Sequence, residues 1–111
     1  MVYSNALKES VLGVKKSTLN EHGAVSEETV KEMAEGAVRN FDTDFAIAVT
    51  GIAGPDGGSE AKPVGTVWIA VASREKTVAK LFTFSNKRIQ NIERSCISAL
   101  TMLFQLLNKQ L

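Results

Sequence analysis

The sequence predicts an α/β protein, a three-layer α/β/α sandwich, on three observations. Two short runs, FAIAVTG (45–51) and VGTVWIAVA (64–72), are almost wholly apolar, like strands covered on both faces. A third run, TVAKLFTF (77–84), alternates more and suits an edge or antiparallel strand. Amphipathic helical segments precede and follow these runs, enough to cover a sheet on both sides.

The elements are justified in chain order. Val2 and Tyr3 are β-prone but too few for a strand. Ser4 or Asn5 can cap a short helix carrying Leu7, Val11 and Leu12, which Gly13 ends. A second short helix spans about Ser17 to His22 and stops at Gly23, where His22 suits a helix-end charge partner. Ser26 is a natural N-cap for the third helix, Glu27 and Glu28 fill its first turn, and Val25 and Val30 are placed for a hydrophobic staple. Val30, Met33, Ala34, Ala37, Val38 and Phe41 recur on one face, with Lys31, Glu32, Glu35 and Arg39 on the other, read as a solvated face. Ser73 to Lys76 make a tight polar turn between the last two strands. Asn86 is placed to cap the final helix, whose stripe of Ile89, Ile92, Cys96, Ala99, Leu100, Leu103 and Leu107 reads as core. Three strands make a narrow sheet for so many helices. The opening MVYSN resembles the tail of another strand, so the sequence reads as starting late.

Composition bounds the function. The chain fits one domain over residues 1–111, with 44% hydrophobic and 23% charged residues. Its formal net charge of +1 argues against nucleic-acid binding. The single cysteine, Cys96, reads as a core thiol, and no His/Cys/carboxylate cluster points to a metal. No apolar run is long enough to span a bilayer and the N-terminus lacks a signal peptide's apolar stretch, so a cytoplasmic protein with no membrane partner is expected.

The stretch TGIAGPDGGSEAKPVG (50–65) carries the chemistry. It matches neither the nucleoside-triphosphate P-loop nor the dinucleotide fingerprint, and a strand follows it. Amides at Gly51, Gly54, Gly57 and Gly58 can form an anion-binding concavity, and the Thr50 hydroxyl can donate to a substrate oxygen. Pro55 and Pro63 restrict the loop. By spacing alone, a binding loop and a long structural turn both stand.

The wording is more specific than the spacing. VTGIAGPDGGSEAKPVGTVWIAVA closely resembles the signature segment of the CinA C-terminal domain family. YSNALKESVLGV, GAVSEETVKEMAEGA and FSNKRIQNIERSCISAL are similar to that family's flanking segments, so the resemblance runs over essentially the whole chain. It implies a CinA C-terminal-like α/β/α fold, with the first strand and N-terminal helix missing or reduced here. It also implies a nicotinamide-nucleotide amidase: hydrolysis of the carboxamide of nicotinamide mononucleotide to nicotinic acid mononucleotide and ammonia, with no metal or organic cofactor.

By the same resemblance Tyr3, Lys8 and Thr50 are catalytic candidates. Asn5, Gly51, Gly54, Gly57, Gly58 and Arg88 are substrate-binding candidates, Arg88 suiting the phosphate through its fork geometry. Lys8 can act as general base or electrostatic partner of a serine. The family's serine lies in an A-E-S-C-T-G-G motif that these 111 residues do not contain. Impaired or absent turnover is therefore expected. The alternative is a non-catalytic nucleotide-phosphate-binding module, or one that self-associates as a homo-oligomer through an exposed sheet edge.

Overall fold

The computed structural model describes residues 12–52, 64–84 and 87–109. Wholly within these described residues lie three helices, α1 (Lys16–His22), α2 (Glu27–Asn40) and α3 (Arg88–Leu107), and three strands, β1 (Phe45–Gly51), β2 (Thr66–Ser73) and β3 (Thr77–Thr83). The described strands lie in the order β1-β2-β3, both pairings antiparallel. The first short helix expected before Gly13 lies mostly outside the described residues.

Helix α2 forms as its sequence directs. Ser26, extended at φ −157°, accepts a hydrogen bond from the Thr29 amide at 3.2 Å, satisfying one orphan donor of the first turn. Its apolar face lies on β1 and β2, where Val30, Met33, Ala34 and Val38 meet Ala48, Ala70 and Ala72. Small alanines on the sheet side let the helix sit close. Gly36 does the same toward the preceding chain. A Cβ there would overlap the carbonyl oxygen of Leu12, so no larger residue fits this crossing. Gly23, at φ +79°, ends α1 in a conformation that L side chains rarely adopt.

The opposite face of β2 packs on α3. Val67, Ile69 and Val71 join Ala99, Met102 and Leu106, with Val78, Phe82 and Phe84 from the β3 region at the margin. Helices on both faces of the sheet make the α/β/α layering expected from the sequence.

Five details differ from the sequence reading. Strand β1 is covered on one face only: Ala48 and Thr50 are buried, while Phe45, Ile47 and Val49 are exposed at 43%, 37% and 41%. A continuous apolar run permits two-sided burial but does not supply the second cover.

In α3 the sheet-facing stripe is Asn91, Ser95, Ala99, Met102 and Leu106, one step round from the expected stripe, of which only Ala99 is buried. The helix is apolar over more than half its circumference, so its pattern allows more than one phase. Cys96 is accordingly exposed, because it lies on the flank the sheet does not reach. Phe41 caps α2 and is 57% exposed, because the helix ends before that position can turn inward.

Part of the polar face of α2 carries structure as well. Glu32 accepts hydrogen bonds from the Thr18 hydroxyl (2.6 Å) and the Lys15 amide (2.8 Å), fixing α1 against α2. Glu35 accepts from Thr77 at 3.0 Å, tying α2 to the start of β3.

Candidate functional site

The antiparallel registers bring the end of β1, the start of β2 and the end of β3 to one end of the sheet, since Gly51 pairs with Val67 and Thr66 with Thr83. Three backbone hydrogen bonds extend this frame beyond the strands. The Ile52 amide donates to Thr66 O at 2.9 Å, Gly65 to Ile52 O at 2.7 Å, and Phe84 to Gly65 O at 2.8 Å. Both stems of the glycine loop are therefore clamped together, and the segment leading into α3 is clamped beside them.

Thr50 is 5% exposed and its hydroxyl donates to the Ala24 carbonyl at 2.7 Å. That bond ties the end of β1 to the α1–α2 connection. The same connection is drawn tight by Ser26 and Thr29, whose hydroxyls both donate to Gly23 O, at 3.0 and 2.6 Å. The Thr50 hydroxyl proton is thus directed to the backbone. Gly51 has its own requirement: a Cβ there would lie 2.8 Å from both Thr66 O and Val67 Cγ2, too close for the β1–β2 pairing.

Two helices begin at this end and differ in charge. The N-terminus of α2 carries Glu27 and Glu28 behind its Ser26 cap, with His22 Nδ1 3.5 Å from Glu28 Oε1. Helix α3 begins with Lys87 as N-cap and Arg88 as first helical residue, with no side-chain cap and no acid in its first turn. Helix N-termini attract anions, and here the positive end of α3 adds to two cationic side chains.

Thr50, Gly51 and Arg88 are therefore brought to one end of the sheet by the fold. Tyr3, Asn5, Lys8, Gly54, Gly57 and Gly58 lie outside the described residues, as does Asn86. The helix-capping role expected of Asn86 falls in the described chain to Lys87. Sequence reasoning missed the tether itself, Ala24 with Ser26 and Thr29 behind it. The only local signal is the G-A-V-S-E-E-T string, which reads as an ordinary cap.

Two other features lie away from this end. A depression of about 470 Å³ sits at the opposite end of the sheet, between the Ser73–Lys76 turn and the end of α3. Its described lining includes none of Thr50, Gly51 and Arg88, and its Arg74 is engaged by Asp42 and Asp44 at 3.0 and 3.1 Å. Among the described residues no group of three or more His, Cys, Asp or Glu side chains is placed to hold a metal ion. No helix among them is long and apolar enough to cross a membrane.

The architecture defines the class: an α/β domain with the stems of a glycine-rich segment and helix N-termini gathered at one end of an antiparallel sheet. The chain belongs to the CinA C-terminal domain family, whose model matches residues 1–107. It is 58% identical over 84 residues to a CinA-like protein of Shewanella loihica, covering 76% of this chain and 20% of that one. It is 50% identical over 103 residues to a CinA-like protein of Endomicrobium trichonymphae, covering 93% and 24%. Among solved structures it is similar to the competence/damage inducible protein CihA from Agrobacterium tumefaciens, with a TM-score of 0.92 and 40% identity, over 95% of this chain and 65% of that one. The chain thus spans about a fifth to a quarter of the length of these curated relatives.

Proposed function

We propose that these 111 residues form the ligand-holding part of a nicotinamide-nucleotide amidase-type site. The reaction is hydrolysis of the carboxamide of nicotinamide mononucleotide, breaking the C–N bond with water to give nicotinic acid mononucleotide and ammonia. One observation supports this reading above the others: the T-G-I-A-G-P loop leaves β1 at the sheet end where α3 begins with Lys87 and Arg88. A nucleotide phosphate is favoured at such a helix start, and Arg88 can bind it with two parallel donors.

In this reading Gly51, Gly54, Gly57 and Gly58 let loop amides approach the phosphate or the developing oxyanion. Asn5 and Tyr3 orient the substrate, and Lys8 serves as general base or electrostatic partner for a serine nucleophile. Thr50 acts as a positioning residue through its bond to Ala24. The A-E-S-C-T-G-G motif that carries that serine does not occur in these residues, so the chain alone binds the nucleotide with little turnover. Loss of a nucleophile removes several orders of magnitude in rate. No metal or organic cofactor takes part, and the setting is the cytoplasm.

The absent motif also favours a second reading, a nucleotide-phosphate-binding module with no catalytic role. Calorimetry with nicotinamide mononucleotide and an ammonia-release assay on the same preparation test both. The expected result is saturable binding, weakened by Arg88→Ala, with ammonia release near background. Adding back a CinA relative's segment that bears the serine motif then restores ammonia release under the amidase reading and leaves it silent under the module reading. A chain that is folded by circular dichroism and binds no nucleotide overturns both.

A further inference from the structure

Three hydroxyls converge on the start of the α1–α2 connection, and one of them is not explained by the helix that carries it. Gly23, at φ +79°, ends α1 with the backbone freedom of a residue that has no side chain. Its carbonyl oxygen nevertheless accepts two hydroxyls, from Ser26 at 3.0 Å and from Thr29 at 2.6 Å. Two donors occupy both lone pairs and hold this peptide in one orientation. The next carbonyl, that of Ala24, accepts the Thr50 hydroxyl at 2.7 Å.

Ser26 has a second duty that accounts for its hydroxyl, because its oxygen caps α2 by accepting from the Thr29 amide at 3.2 Å. Thr29 has no such duty. It is 0% exposed in the first turn of α2, and only its backbone amide takes part in the cap. A valine there would have nearly the same shape and no hydroxyl to take out of water. What the Thr29 hydroxyl contributes is its bond to Gly23.

We infer that Thr29 is a positioning residue for the glycine-rich segment, acting through Gly23, Ala24 and Thr50. By fixing the Gly23 carbonyl it sets the Ala24 carbonyl that Thr50 meets, and Thr50 sets the end of β1 from which the segment departs. The clamp of Ile52 on Thr66 and of Gly65 on Ile52, at 2.9 and 2.7 Å, carries that placement to the other stem. The effect on nucleotide rests on the reading proposed above, whereas the mechanical link does not, so the test has an arm for each.

Thr29→Val in the full chain deletes the bond to Gly23 and keeps the amide that Ser26 caps. The first arm is hydrogen exchange without ligand. The Ile52 and Gly65 amides should speed up about fivefold more than those of Ile69 and Val71, which report opening of the whole sheet. Thr29→Ser, which retains a hydroxyl, should restore the unmutated rates. Val38→Ala loosens the far end of the same helix and should move all four amides alike. Equal acceleration of all four in Thr29→Val would make Thr29 a part of the general packing and overturn the inference.

The second arm is calorimetry with nicotinamide mononucleotide. Thr29→Val should raise the dissociation constant about five- to tenfold, and Val38→Ala should leave it unchanged. The double variant with Thr50→Val should bind within about twofold of the weaker single variant, because both side chains act through one connection. Effects that multiply would place Thr29 on a separate route and overturn the inference. If the unmutated chain binds no nicotinamide mononucleotide, the amidase reading falls, and the exchange rates at Ile52 and Gly65 alone decide the role of Thr29.

Discussion

The two faces of the sheet start from similar material and end differently. On one, α2 covers the alanine-rich side of β1 and β2, and its outer surface is polar, with Glu32 and Glu35 bonded to neighbouring elements. On the other, α3 covers β2 but leaves Ile47 and Val49 uncovered, and its own outer surface is largely apolar. Both helices are amphipathic, and what separates them is the width of the apolar arc. A narrow arc has one way to be buried, whereas a wide arc is buried on whichever side the sheet happens to meet. Among the described residues the first face is closed, while the second leaves apolar side chains of β1 and α3 exposed.

Substitutions can break or sharpen this contrast. The largest effect is expected at Gly36 on the closed face, where alanine would force its Cβ into the Leu12 backbone. Gly36→Ala should cost about 3 kcal/mol, measured as a lower urea midpoint at unchanged slope. A matched pair on α3 compares covered with uncovered: Met102, 2% exposed, against Leu100, 62% exposed. Met102→Ala should cost about 2–3 kcal/mol, while Leu100→Ala should stay within about 0.5 kcal/mol. Equal losses at the two positions would mean that Leu100 is covered in solution.

Smaller effects belong to the end of the sheet that gathers the candidate residues. Ser26→Ala removes the α2 cap and should cost about 1 kcal/mol, read by thermal or urea unfolding. Thr50→Val keeps the shape and deletes the donor to Ala24, for a loss of about 1–2 kcal/mol. If Thr50 acts by positioning, this variant should also weaken nicotinamide mononucleotide binding without abolishing it. A complete loss would give the hydroxyl a direct contact with the ligand.

The smallest effect is at Arg74. Hydrogen bonds to Asp42 and then Asp44 raise its guanidinium above the ordinary arginine value, though the side chain is about half exposed. A raised folded-state value contributes stability that is present below the unfolded value and lost only as pH climbs past the folded one, far into the alkaline range. Arg74→Ala should therefore leave the slope of stability with pH around neutrality unchanged, and salt should screen what the pair contributes.

The elements themselves were legible because each rests on local chemistry. Ser26 with Glu27 and Glu28 marks the start of α2, Gly23 marks the end of α1, and the polar Ser73–Lys76 turn separates β2 from β3. The candidate site was legible as wording: the T-G-I-A-G-P string and the start of α3 are each a continuous stretch of sequence. Their meeting is not, since it depends on Ile52, Gly65 and Phe84 bonding across three separate segments. Nor did the Thr50 side chain advertise its partner, a carbonyl 26 positions earlier. A hydroxyl at a strand end reads equally as substrate donor or as tether until the neighbouring backbone is in place.

By itself the sequence determined the family, the helix boundaries set by caps and glycines, and the two-faced character of β2, because these depend on residues close together in the chain. Tertiary structure alone decided which side of α3 meets the sheet and which face of β1 goes uncovered. Hydrophobic patterning states only that a surface is better out of water. It carries no direction, so the choice between two apolar sides falls to the packing of neighbouring elements. In α3 that choice buried Asn91 and Ser95 in the interface with the sheet and left Leu100 and Phe104 outside.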